Sequence, residues 1–267
     1  MNELKLLRQW VREFPGYLWS GWGAISSLFL LLALWEWGNQ VYGDLVLPTP
    51  INAFRMLGEK FSAGEALPEL LITGRRALIG FLFSVVVGST LGILAGLSMT
   101  ASMMSRPIVT VLMGMPPIAW IVLALLWFGA TDMTPIFTVT VACFPIVFAG
   151  GIQGVRTIDR QLKDMALVYH LPPWMRFFDV YLPHITSYLF PAWIAALGMS
   201  WKIVVMAELL ATSDGVGAAL AVSRSHLDTA ATMGWIVAIV GLLLAVEYLL
   251  LEPIKRQLER WRETGDD

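Results

Sequence analysis

The sequence is poor in charge and nearly devoid of cysteine and histidine. Its 267 residues include 18 Lys or Arg and 20 Asp or Glu, so 14% are charged while 57% are hydrophobic. An ordinary soluble domain carries about 25% charge, and this chain could not cover a water-facing globule of its size. A formal net charge of −2 with no clustered basic tract excludes the surface needed to neutralise a nucleic-acid backbone. The single cysteine, Cys143, rules out an internal disulfide and a cysteine-built metal centre. The three histidines, His170, His184 and His226, are scattered. HExxH, GxSxG and the phosphate-cradling GxxxxGK followed by Ser or Thr are all missing, so the chain supplies neither a catalytic constellation nor a nucleotide site of its own. It is not expected to be an enzyme, and no metal or cofactor is expected in it. No tandem repeat, low-complexity tract or second domain is visible.

What the chain does have is six apolar blocks near the ~20 residues that cross a bilayer as helix. They lie at about 20–38, 77–97, 107–128, 135–154, 187–210 and 232–251. The fold class expected is all-α, a polytopic membrane protein with six transmembrane helices in one domain spanning 1–267. The first block follows Lys5, Arg8 and Arg12 and is too long for a signal-peptide core, so it reads as a retained anchor. Cations accumulate in cytoplasmic loops. With both termini inside, 12 of the 18 Lys and Arg are cytoplasmic. This places in the cytoplasm an N-terminal segment of about 1–19, a loop of about 155–186 and a tail of about 252–267. It leaves outer loops at about 39–76 and 211–231. In the first of these, Pro48, Thr49 and Pro50 precede an apolar-periodic stretch through Ile51, Phe54, Leu57 and Phe61. That stretch is a short helix, either on the membrane surface or packed on the bundle.

Within the blocks, Gly80, Ser84, Gly88, Gly92 and Gly96 form a bare stripe, suited to close helix packing or to sliding. Met115, Pro116, Pro117 and Trp120 mark a break in the third block, because adjacent prolines remove two donors and clash with the preceding turn. Broken helices at membrane depth are tolerated beside protein or a water-filled path, which makes these residues candidates for lining a pathway. The fifth block carries Trp201, Lys202 and Glu208, which join Met115, Pro116, Pro117 and Trp120 as candidates for the substrate pathway. An ionisable group there costs about 2.5–3.5 kcal/mol on insertion scales, and Lys202 and Glu208 stand about 240° apart around a helix. They cannot pair with each other, so each needs its own partner. Lys202 either faces an anionic solute or snorkels to the interface; Glu208 serves as a hydrogen-bonding residue near an outer gate.

The loop at 155–186 is patterned as helix, turn, helix. Thr157 or Asp159 caps a first helix running to about Tyr169, Pro172 and Pro173 set the turn and the next start, and Pro183 is expected to close the second helix. A paired element of this kind suits docking into the groove of a soluble partner. Its residues Asp164, Met165 and Ala166, then three residues, His170, nine residues, Val180, Tyr181, Leu182 and Pro183 resemble the cytoplasmic signature of binding-protein-dependent ABC transporter permeases. That signature reads Glu-Ala-Ala, three residues, Gly, nine residues, Ile-x-Leu-Pro. Asp164 stands for Glu, Met165 for Ala and His170 for the turn glycine, a position where His tolerates positive φ better than most residues. Leu47 to Ala53, Arg76 to Gly80, Pro116 to Trp120, Leu125 to Gly129, Gly154 to Asp159 and Trp201 to Glu208 further resemble the nitrate, sulfonate, taurine and bicarbonate branch.

The resemblance implies a type I ABC importer permease with coupling helices at Asp164, Met165, Ala166, His170, Val180, Leu182 and Pro183. It implies a second copy of the permease, a cytoplasmic ATPase dimer that binds ATP and Mg, and a periplasmic solute-binding protein, all at a bacterial inner membrane. No nucleic-acid partner is expected. A transporter or channel working without ATP is the alternative, since buried charge and a broken helix suit it too.

Overall fold

The computed structural model describes residues 26–246 and is all-helical over them. The N-terminal segment, the start of the first apolar block and the C-terminal tail fall outside the described residues. In chain order the elements are α1 (26–42), α2 (Pro50–Ser62), α3 (Ala66–Leu97), α4 (Met99–Gly114), α5 (Pro117–Phe128), α6 (Met133–Arg156), α7 (Arg160–Val168), α8 (Pro173–Ala211), α9 (Val216–Ser225) and α10 (Thr229–Ala245). Three of them, α3, α6 and α8, are long and apolar enough to cross a membrane; α4 and α5 pass that test together, and α10 is a shorter apolar helix.

The centre of the bundle is α6, sandwiched between α3 and α8. The bare stripe of α3 makes this packing close. Gly80, Gly88 and Gly96 lie against Val139, Val147 and Val155 at a constant sequence offset, so α3 and α6 run parallel and in register. At Gly92 the partner is itself a glycine: a β-carbon on Gly151 would come within 3.0 Å of the Gly92 Cα. On its other side α6 offers Gly150 and Gly154 to Ala192 and Ile185 of α8. Small residues thus supply the backbone proximity that replaces hydrophobic drive in lipid. Trp193 of α8 donates to Ser89 Oγ of α3 at 3.0 Å, closing the triangle.

Two expectations are adjusted. The second apolar block, read as starting at 77, belongs to a helix that starts at Ala66, so Arg75 and Arg76 are helical rather than part of an outer loop. The second loop helix does not end at Pro183. It runs into the fifth span as one 39-residue helix, Pro173–Ala211. The reason is local: Arg176–Tyr181 is π-helical, with Leu182 N–H donating to Phe177 O. This wider turn carries the chain past a proline that would otherwise clash with the carbonyl four residues back.

The third block breaks where expected. Met115 and Pro116 are extended, Pro117 opens α5, and the axes of α4 and α5 diverge by 92°. Helix α2 is capped by Thr49, whose hydroxyl accepts from Asn52 N–H at 3.2 Å, with Pro50 in the first turn. It packs through Ala53 and Leu57 onto Gly234 of α10, which selects the bundle-packed alternative, although Ile51 and Phe54 remain exposed.

Candidate functional site

The bundle has two chemically distinct ends. At the first, the start of α3 meets the start of α6, the end of α8 and the start of α9. Glu208 of α8 is fully buried, and its partner is Arg76 of α3, also buried, which donates to Glu208 Oε1 at 3.0 Å. Arg76 spends all five donors. Besides Glu208, Nη1 donates to Asp214 O at 2.8 Å, Nη2 to Asp214 Oδ1 at 2.7 Å and to Asp132 Oδ1, and Nε to Asp132 Oδ1 at 2.9 Å. Asp132, just before α6, also accepts from Arg75. Glu208 stands out in the sequence as a charge inside an apolar block, whereas Arg76, at the edge of one, does not.

The other Glu208 oxygen faces the start of α9. Thr73 Oγ1 donates to Oε2 at 2.8 Å and itself accepts from Val216 N–H at 2.9 Å. Gly217 N–H donates to Glu208 Oε2 at 3.2 Å, and Gly215 N–H donates to Glu69. Three N–H groups that open α9 are therefore answered by side chains of α3 and α8, where a helix start favours negative charge. Gly215 sits at φ 94, and a β-carbon there would strike the Glu208 carboxylate. The segment Asp214 to Gly217 is thus folded onto the cluster. The arrangement is a fully satisfied ionic knot that ties four helices together and presents neither Arg76 nor Glu208 to solvent.

Other candidates lie apart from the knot. Lys202 is on the exposed side of α8, on a stripe with Ala195, Met206 and Leu210, and no side chain among the described residues pairs with it. This agrees with the angular separation from Glu208. Trp201 points inward and is buried against α3 near Gly74, while Trp120, in the first turn of α5, is half-buried. Both indole N–H groups are buried without an acceptor among the described residues. Met115, Pro116 and Pro117 form the break itself.

The opposite end carries the projection. Asp159 caps α7, accepting from Gln161 N–H at 3.0 Å. The helix stops at a Schellman turn: Leu171 N–H donates to Ala166 O at 3.1 Å and His170 N–H to Leu167 O at 3.0 Å, with His170 at φ 49. His170 therefore takes the left-handed position that glycine would fill, and Arg176 Nε braces the turn by donating to Leu171 O at 2.8 Å. Ala166, in the last turn of α7 beside the Schellman turn, is fully buried, whereas Asp164 and Met165 are exposed. Val180 and Leu182 are half-buried in the π-helical base, and Pro183 is exposed beside them. Apolar side chains crowd the tip, with Val168 75%, Tyr169 73% and Trp174 61% exposed, an unpaired patch of the sort that marks a protein contact.

A helical bundle with several membrane-length apolar helices, a broken span and a projecting helical hairpin defines a multi-pass membrane permease. The chain belongs to the family described as binding-protein-dependent transport system inner membrane component, whose model matches residues 88–263. It is 31% identical, over 95% of this chain and 93% of the relative, to "Putative aliphatic sulfonates transport permease protein SsuC" of Bacillus subtilis (strain 168). It is 32% identical to the nitrate import permease protein NrtB of Leptolyngbya laminosa, over 72% of this chain and 71% of the relative. To NrtB of Synechococcus elongatus it is 28% identical, over 72% and 73%.

Proposed function

We propose that two copies of this chain form the translocation pathway of an ATP-driven importer for a small anionic solute such as a sulfonate, nitrate, taurine or bicarbonate. A periplasmic binding protein delivers the solute at the end bearing the Arg76–Glu208 knot, and an ATPase dimer, which binds ATP and Mg, docks on the hairpin of α7 and the base of α8. Both termini are then cytoplasmic. The observation that carries this reading is the hairpin. It is built by a complete cap and a complete Schellman turn, yet its tip is apolar and uncovered, a combination that stabilises a shape while leaving its contact surface for another protein.

In this reading ATP binding draws the two hairpins together. Because α8 is continuous from hairpin to knot, displacement at its foot reaches the far end of the pathway without crossing a loop. One observation supports an anionic solute: Lys202, a cation on the exposed side of α8 with no ion-pair partner among the described residues. Asp164→Lys tests the docking surface. The variant is expected to insert normally in the membrane but to lose the co-purifying ATPase and ATP-dependent uptake. Wild-type uptake by that variant, or uptake that continues without ATP, would remove the proposal.

A further inference from the structure

Between α4 and α6, at the hairpin end of the bundle, lies an open cleft of roughly 510 Å³ that the transport reading does not use. Its two walls are graded. On α6 the lining runs from Thr157, Arg156 and Gln153 through Ile152 to Ala149 and Phe148. On α4 it runs from Ser102, Ser105 and Arg106 to Val109 and Thr110, so Phe148 lies about 12 Å along the axis from Arg156 but Val109 only about 5 Å from Arg106. Neither Arg106 nor Arg156 has a carboxylate within ion-pairing distance among the described residues, although Arg156 touches Met99 Sδ. This contrasts with Arg76, whose every donor is answered by oxygen.

We infer that this cleft binds an anionic phospholipid, with its phosphate between Arg106 and Arg156 and an acyl chain along Phe148 and Val109. The two guanidiniums supply fork-shaped donors matched to phosphate oxygens, and the Gln153 amide supplies a further donor beside them. Cations at the membrane edge above an apolar slot between helices are the arrangement that selects anionic headgroups from a mixed bilayer. A small soluble anion would use the arginines but not the apolar depth. The outer flank of α4, with Met103, Met104 and Ile108 exposed, gives lipid a lateral way in. The inference does not depend on the ATPase docking at the hairpin.

The test uses the full chain purified in a neutral detergent, with native mass spectrometry reading retained lipid when phosphatidylglycerol and phosphatidylcholine are supplied equally. The wild type is expected to retain phosphatidylglycerol preferentially. An R106Q/R156Q double variant should lose most of that preference, roughly thirtyfold at about fivefold per arginine. R106K/R156K should keep part of it, and R224Q, at the other end of the bundle, all of it. Equal retention of the two lipids by the wild type, which needs no variant to fold, would overturn the assignment. So would an unchanged preference in R106Q/R156Q, or full displacement of phosphatidylglycerol by millimolar inorganic phosphate or methanesulfonate, which would make this a soluble-anion site.

Discussion

Arg76 and Glu208 are 132 residues apart in the chain, and their side chains meet at 3.0 Å inside the bundle. The pair joins α3, which bears the small-residue stripe, to α8, whose first turns form the second arm of the hairpin. Three carboxylates, those of Glu208, Asp132 and Asp214, converge on that one guanidinium.

This asymmetry orders the cost of substitution. Arg76→Met leaves three carboxylates facing one another without their shared cation, and removing one partner of a buried pair costs about 3–5 kcal/mol. Glu208→Gln keeps the shape but turns one accepting oxygen into a donor that faces Arg76, or Thr73 and Gly217, so it should cost about 1–3 kcal/mol, the penalty of a buried donor left unsatisfied. Denaturant unfolding of the purified variants in detergent checks the order. Glu208→Gln proving the more damaging would show that the knot is not organised around the guanidinium.

Gly151→Leu should separate α3 from α6, because its side chain would have to occupy the space of the Gly92 backbone. Overpacking of this kind costs about 1–3 kcal/mol. Gly114, where a β-carbon meets nothing within 4 Å, should tolerate Ala with less than about 1 kcal/mol lost. Thermal melting of the two variants makes the comparison.

At His170 the backbone is left-handed. His170→Gly should leave the hairpin intact and stabilise it by about 1 kcal/mol, whereas His170→Val should destabilise it by about 1–3 kcal/mol. Amide exchange at Tyr169 and Leu171 reads the hairpin directly. Equal protection in the two variants would show that the turn does not depend on this φ.

Lys202→Met removes a cation on the exposed side of α8 that has no ion-pair partner among the described residues. If Lys202 meets the solute, a lost charge-assisted contact of about 1.5–3 kcal/mol lowers uptake affinity by about tenfold or more. Uptake titrated against solute concentration, at matched protein levels, decides this. Unchanged affinity and rate would assign Lys202 to snorkelling.

The hairpin was legible because its signals are local. Asp159 as cap, Pro172 and Pro173 at the turn and His170 at the left-handed position each act through neighbours a few residues away. The break at Met115 to Pro117 was legible for the same reason. Pro183 misled because its effect depends on the turn before it, and a π-helical turn is not written in any one residue. Arg76 was missed because an apolar window stops at a pair of arginines. A signal was nonetheless present: Glu69, Thr73, Arg76 and Gly80 continue the helical spacing of the small-residue stripe toward the N-terminus, so the face that packs on α6 also carries the cluster.

From the chain alone come the helical class, the membrane-length apolar spans and the two-helix projection, since apolar length and local capping depend on residues close in sequence. Only the tertiary structure determined that Arg76 answers Glu208, that Asp132, Asp214 and the start of α9 complete the knot, and that Arg106 and Arg156 share a cleft. Those partners lie on different helices, and what brings them together is the parallel, glycine-lined contact of α3 with α6 and the packing of α4 against both.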